Sequence, residues 1–277
     1  MLSYRHAFHA GNHADVLKHV ILVELLTYLT RKPKAIWYVD THAGAGIYPL
    51  DAGFATRNRE YETGIARLWQ TTEAPTVIER YLELIRPLNA EGSLKRYPGS
   101  PWLAAKVLRS QDRLWLHELH PTDRQALSGC FSDRRVRIHD QDGLTGLRAL
   151  LPPATRRALV LIDPSYEVKS DYDKVVSALR DAVLRFPSGT YALWYPLLAG
   201  GQSETMVERL LTLDAPSWLD VRLTVRSDSA PGMYGSGMGG INPPFALPEC
   251  LGETLPFLAD RLGQDPTANH ELRWEIP

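Results

Sequence analysis

The chain has 277 residues, 44% of them hydrophobic and 23% charged, with a formal net charge of −1. That is enough apolar material for one large core, and the near-neutral balance argues against a protein that grips nucleic acid by bulk positive charge. Two cysteines, Cys130 and Cys250, lack metal-type spacing, which excludes a disulfide framework and fits a reducing compartment.

The opening stretch, MLSYRHAFHAGNHADVLKH, is polar and rich in histidine and has no apolar signal core. The longest apolar run, residues 20–29, contains Glu24 and Thr27 and falls short of a membrane span. The expectation is a cytoplasmic protein with no membrane partner. Asn12 is placed to cap a helix, with Asp15 as the capping-box acid, and Leu17, Ile21, Leu25 and Tyr28 or Leu29 form its stripe until Lys32-Pro33 ends it. Residues 4–11 are then a loop laid ahead of that helix. His9 and His13 have i,i+4 spacing, but no cysteine and no HExxH pattern accompanies them, so loop and cap hydrogen bonds, with some histidines folded over a cofactor, are preferred to a metal.

Residues 35–39 (AIWYV) read as a strand that breaks into Asp40-Thr41-His42-Ala43-Gly44-Ala45-Gly46, the start of a nucleotide-type site. Over residues 51–97 the pattern turns to charge-rich helical segments, around 61–70 and 77–88, without a clear strand: a helical insertion after the first strand. A helix at 100–109, a strand at 113–119, a helix at 121–131 and a strand at 136–139 follow. A short helix at 143–150 and a fourth strand at 158–162 come next. Beyond lie a helix at 172–185, a strand at 190–195, a helix at 203–213, a strand at 219–226, and a late strand before Asn242-Pro243-Pro244. The stretch 232–240 (GMYGSGMGG) lacks the lysine and the strand-to-helix setting of a phosphate loop and reads as a hairpin or loop near the sheet edge. Strands alternating with helices predict an α/β fold with a mostly parallel sheet. The expected organisation is a single domain over 1–277, with 51–97 as a subdomain within it.

Ligands of open α/β sheets bind beyond the carboxyl ends of the strands. There the first four predicted strands carry the His42–Gly46 turn, Glu118, Asp142, and Asp163-Pro164-Ser165-Tyr166. Glu118 can accept from ribose hydroxyls and Asp142 from an adenine amino group, which together describe a nucleoside-shaped pocket. The turn lacks a Lys-Ser/Thr pair and departs from GxGxxG, so S-adenosylmethionine fits better than a triphosphate or a dinucleotide. The Asp-Pro-Ser-Tyr stretch suits methylation of an exocyclic amine, whose lone pair is delocalised into the ring. Asp163 accepts one N–H and the eventual proton, the Pro164 carbonyl accepts the other N–H, and Tyr166 stacks on the base for roughly 1–3 kcal/mol. An α/β-hydrolase is set aside because no G-x-S-x-G elbow occurs.

These residues resemble the D-P-P-Y or N-P-P-Y signature of amino-methyltransferases, with Ser165 in place of the second proline. With YRHAFHAGNHADVLKH, DTHAGAG, YPGSP, HELHP and ALWYP, almost the whole chain closely resembles the RlmJ family of bacterial large-subunit ribosomal RNA adenine-N6 methyltransferases. The resemblance implies a Rossmann-like class I methyltransferase. It implies S-adenosylmethionine as cofactor, S-adenosylhomocysteine as product, no metal, and a monomer acting on 23S rRNA before full ribosome assembly. It implies cofactor contacts at His19, His42, Ser100, Glu118, Asp142, Gly143 and Asp163, and an rRNA contact at Tyr4. His6 and Lys18 lie in the same segment and are expected to line the site. The motif by itself also admits a DNA adenine-N6 methyltransferase, and Ser165 leaves open a non-catalytic nucleotide- or RNA-binding module of the same fold. The basic clusters, among them Arg134-Arg135 and Arg156-Arg157, read as solvated surface.

Overall fold

The computed structural model describes residues 5–213, 215–229 and 231–276. In chain order its strands are β1 (Trp37–Asp40), β2 (Ile47–Pro49), β3 (Arg96–Pro98), β4 (Arg113–His117), β5 (Val136–His139), β6 (Ala158–Ile162), β7 (Thr190–Leu198), β8 (Trp218–Thr224), β9 (Met233–Ile241) and β10 (Asn269–Glu275). Its helices are α1 (His13–Thr30), α2 (Ala55–Asn58), α3 (Ala66–Trp69), α4 (Thr76–Ile85), α5 (Ser100–Val107), α6 (Pro121–Gly129), α7 (Gly143–Leu150), α8 (Ser170–Arg185), α9 (Gln202–Leu211) and α10 (Leu247–Leu262).

Eight strands form one sheet in the order β10-β8-β9-β7-β6-β1-β4-β5, and β2 pairs with β3 separately. The run from β5 to β7 is parallel, while β9 runs antiparallel to both its neighbours and β10 antiparallel to β8. The mostly parallel, Rossmann-like sheet expected from the strand–helix alternation is therefore present. The chain leaves β1 toward β4 and β5, then returns to build β6 and β7 on the other side. Strand order thus reverses at β1, where a doubly wound sheet opens a crevice.

Alternation along each strand sorts side chains into two cores. Tyr38, Leu159, Leu161 and Ala192 face α1, α4, α5 and α10, whereas Val39, Val160, Ile162 and Leu193 face α7, α8 and α9. All five residues of β6 are buried, as expected for a central parallel strand covered on both faces.

Helix α1 is buried throughout from His13 to Leu26, so it is a core element with no solvent stripe in its first turns. The expected cap is present: Asn12 accepts from the Asp15 amide at 3.0 Å. The acid of the motif reaches the Gly11 amide at 2.9 Å instead of the Asn12 amide. At the far end, Arg109 donates to the Thr30 and Lys32 carbonyls and Arg157 to the Leu29 carbonyl. Arg135 likewise donates to the Ala105 and Arg109 carbonyls at 3.1 Å. Arg135 and Arg157 read from the sequence as solvated surface; with Arg109 they satisfy carbonyls left open at helix ends.

Several expectations are corrected. The glycine-rich stretch is β9, a nine-residue strand inside the sheet, and not an edge loop. Its neighbours supply the bulk that its own residues lack: a Cβ on Gly237 would lie 2.1 Å from the Tyr195 ring. The segment 51–97 does hold α2, α3 and α4, but it ends in β3, which pairs with β2. α10 and β10 had no counterpart in the sequence reading. Finally, the helix expected at 100–109 is α5, which ends at Val107; its N-cap is Gly99, with no side-chain cap among the described residues.

Candidate active site

The carboxyl ends of β1, β4 and β6 open on a cavity of about 540 Å³. His6, Lys18, His19, His42, Ser100, Glu118, Asp142, Gly143, Asp163 and Pro164 all line it. Tyr4 lies outside the described residues.

Tyr166 does not line the cavity. It is 7% exposed, its ring packs against Tyr172 and Trp194 at 4.6 and 6.1 Å, and its hydroxyl donates to the Trp194 carbonyl at 3.0 Å. The turn after β6 places Tyr166 at φ +54°, where a bulky residue turns its side chain away from an extended path at a strain of roughly 1 kcal/mol or more. The expected stacking face is thus taken up by the core. Trp194, which lines the cavity and whose N–H has no partner among the described residues, is the large aromatic residue left beside the motif.

At the transfer end, α1 meets β6. Lys18 Nζ donates to Asp163 Oδ2 at 2.6 Å and lies 2.7 Å from Asp15 Oδ1, bridging two carboxylates. Asp15 also pairs with His6 Nε2 at 2.9 Å. Burial favours the neutral form of Asp163; Lys18 and His6 oppose it, and the balance leaves its carboxyl raised to about 6. Burial also works against the Lys18 ammonium, but Asp15 and Asp163 outweigh it and hold the ammonium charged. With Oδ2 occupied by Lys18, Asp163 Oδ1 remains for an incoming N–H.

At the other end of the cavity, the glycine turn closes with Gly44 at φ +64°, and a Cβ there would lie 2.1 Å from the Tyr48 hydroxyl. The Gly44 and His120 amides donate to Glu118 Oε2 and Oε1 at 2.8 and 2.6 Å. Burial raises the Glu118 carboxyl, and these two amides partly offset it. Asp142 is the N-cap of α7 and accepts from the Thr145 amide through Oδ1 at 2.7 Å, which leaves its second oxygen available. Burial lowers His42 to about 4, so that ring is neutral at physiological pH.

Asp40 opens the glycine motif, and the motif alone assigns it no task. It is fully buried at the end of β1 and accepts from Tyr38 and Ser100 hydroxyls, each at 2.6 Å, and from the His42 amide at 3.2 Å. Ser100, expected to touch cofactor, spends its hydroxyl hydrogen on Asp40 and so ties α5 to β1. An acid directly after the apolar run WYV was the signal for Asp40. Nothing local pointed to the pairing of Lys18 with a residue 145 positions away.

Residues 33–276 match the family described as "Ribosomal RNA large subunit methyltransferase D, RlmJ". The chain belongs to the RlmJ family. Two curated relatives named "Ribosomal RNA large subunit methyltransferase J", from Haemophilus influenzae and Escherichia coli, are each 45% identical, with all of both chains covered. A crystal structure of a Legionella pneumophila protein is 36% identical, with 96% of this chain and 98% of that one covered and a TM-score of 0.90.

In this RlmJ-family chain, Gly143 marks how tightly the pocket is closed: a Cβ there would lie 2.2 Å from the Thr41 carbonyl oxygen and 2.5 Å from its Cα. Backbone cannot yield as a side-chain tip can. Gly143→Ala is expected to push α7 and Asp142 away from β1 and weaken S-adenosylmethionine binding by roughly tenfold or more, measured by calorimetry. Unchanged affinity would remove Asp142 and Gly143 from the binding site.

Proposed function

We propose that the chain transfers a methyl group from S-adenosylmethionine to the N6 amino group of an adenine in 23S rRNA, as a cytoplasmic monomer acting before full ribosome assembly. The observation that carries this reading is Asp163, placed at the end of β6, gripped on one oxygen by Lys18 and lining the cavity. The bound cofactor would supply an electrophilic methyl on a sulfonium.

The residues present fit that group. Glu118 and Asp142 offer acceptors at one end of the cavity. At the other end His19 Nε2 is buried without a partner among the described residues. Asp163 Oδ1 accepts one N6–H, the Pro164 carbonyl the second, and the arrangement draws electron density back onto the amine. Asp163 then takes the released proton, as general-base placement requires. Lys18 keeps Asp163 from rotating away and stays charged throughout. Holding amine and donor in line within a closed cavity supplies much of the acceleration.

The RNA reading is supported by an aromatic and arginine cluster beside His6 and His9, which line the cavity. Phe8 and Phe54 lie 4.7 Å apart, the Arg5 guanidinium sits over Phe54 at 5.7 Å, and that of Arg57 sits over both rings at 6.0 and 5.8 Å. Phe54 is 38% exposed. Aromatic faces interleaved with arginine suit unpaired bases flanking a target. Phe54 and Arg57 belong to residues 51–97, which we take as a subdomain that both borders the substrate path and buttresses α1. Phe54→Ala is expected to raise the KM for rRNA about tenfold while leaving the S-adenosylmethionine Kd unchanged; a shift confined to the cofactor Kd would contradict the assignment.

Mass-spectrometric mapping of rRNA from cells with and without the protein, together with labelled-donor assays on protein-free 23S rRNA and duplex DNA, tests the whole reading. Loss of one N6-methyladenine with the gene and labelling of rRNA are expected. Labelling of duplex DNA alone would favour the DNA enzyme.

Among the described residues, no helix is long and apolar enough to cross a membrane, and no three His, Cys, Asp or Glu side chains form a metal-binding group.

A further inference from the structure

A chain of three buried groups runs from the segment 51–97 into the cavity wall. Tyr81 on α4 and Tyr97 on β3 are fully buried, and their hydroxyls are 2.7 Å apart. The Tyr97 hydroxyl is 2.8 Å from His19 Nδ1, and His19, on α1, is 1% exposed. The ring borders the cavity, and Nε2, the nitrogen not engaged by Tyr97, has no partner among the described residues.

Hydrogen counting orders this chain. Among the described residues Tyr81 has one hydrogen-bond partner, the Tyr97 oxygen, so its hydrogen goes there. Tyr97 then has one place for its own hydrogen, His19 Nδ1. If His19 instead donated from Nδ1, one tyrosine hydrogen would be left buried and unmet, at a penalty comparable to a lost hydrogen bond. His19 therefore accepts at Nδ1 and carries its proton on Nε2. A charged ring is disfavoured because burial, and Lys18 nearby, drive His19 well below its ordinary value.

We infer that Tyr97 is a positioning residue that fixes His19 as a neutral Nε2–H donor directed at the cofactor pocket, with Tyr81 closing the chain behind it. The acceptor it awaits is an anionic oxygen. On the functional reading above, on which the ligand's identity rests, that is the carboxylate at the amino-acid end of S-adenosylmethionine, since Glu118 and Asp142 serve the nucleoside end. The hydrogen order itself does not depend on that reading. It also gives the segment 51–97 a task in the cofactor site: it orients a donor on α1 without touching ligand.

Long-range proton–nitrogen correlation spectra of the ¹⁵N-labelled full chain without ligand read the His19 tautomer directly, with His19→Asn to assign the signal. The wild type is expected to show the Nε2–H form across the neutral range. Tyr81→Phe removes a buried hydroxyl yet leaves Tyr97 with His19 as its acceptor, so the Nε2–H form persists. Tyr97→Phe removes the bias, giving mixed tautomers and S-adenosylmethionine binding weaker by about tenfold in calorimetry. A merely structural role predicts that the two variants behave alike. An Nδ1–H signal in the wild type, or a Tyr97→Phe protein with unchanged tautomer and Kd, would overturn the inference. A wild-type protein that shows the Nε2–H form but binds no S-adenosylmethionine upholds the hydrogen order and overturns the ligand.

Discussion

Replacing Asp163 with alanine is expected to slow methyl transfer by roughly 10²–10⁴-fold, the range of a lost general base. Lys18 keeps Asp15 as a partner at 2.7 Å, so the variant does not strand a buried ammonium and the fold survives. The rate should be measured in single turnover with saturating donor, so that altered cofactor affinity does not enter. A rate within tenfold of wild type would sink the proposed role. The pH profile adds a second check. Asp163 is raised from 3.8 to about 6, and it must be ionised to accept the amine's hydrogen and proton. In the wild type kcat/KM should therefore climb up to about pH 6 and then level, and Asp163→Ala should lose that limb. Stability runs the other way. A carboxyl whose folded value is raised holds its proton more tightly folded than unfolded. Its favourable contribution is fully present below the unfolded value and is lost as pH rises through about 6. The site is thus most active where ionisation of Asp163 opposes folding, a tension expected of a buried catalytic acid.

The largest stability effect is expected far from the cavity, at Asp220 on β8. Asp220 is buried and accepts from the Tyr195 hydroxyl of β7, from Arg222 Nε at 3.1 Å and from Arg273 Nη2 of β10 at 2.7 Å. One carboxylate thereby ties together three strands at the antiparallel side of the sheet. Asp220→Ala would leave a largely buried Arg222 guanidinium and the Tyr195 hydroxyl without their acceptor, and removing one member of such a set generally costs about 3–5 kcal/mol. Arg273 is 39% exposed and keeps Glu208 at 3.1 Å, which places the expected loss near the lower end, about 3 kcal/mol. Urea unfolding would read it as a lower midpoint at constant slope, with methylation per folded molecule unchanged. Tyr195→Phe, which removes one donor and leaves the arginines paired, should cost only about 1 kcal/mol. A loss below that for Asp220→Ala would show the network to be slack.

Legibility of the fold followed how locally each element is encoded. β6 was read because ALVLI is continuous and apolar, and α8 because its buried positions recur at helical spacing. A strand before Asn242 was legible and is β9, but its glycines leave no hydrophobic signature, so 232–240 reads as loop; the pairing with β7 and β8 depends on neighbours such as Tyr195 filling the space the glycines leave. Among the site residues, those at strand ends were found from position alone. Tyr166 was assigned to the cavity on the strength of its place in the motif. A backbone at φ +54° sends it into the core, and no property of the four residues announces that rotation.

What the amino-acid sequence determined without help was the set of chemical groups and their order: a glycine turn after one strand, acids after three more, a histidine-rich lead into a capped helix. Those features arise from neighbours within a few positions, where backbone geometry and apolar periodicity act directly. Only the tertiary structure decided which groups meet. Lys18 grips Asp163, Ser100 and Tyr38 share Asp40, and Tyr81 and Tyr97 line up behind His19, because packing α1 and the segment 51–97 against the sheet brings distant residues into one dry space. There each polar group must find a partner or remain at a penalty, and that condition on buried hydrogen bonds, invisible in one dimension, sets the charges and protons of the site.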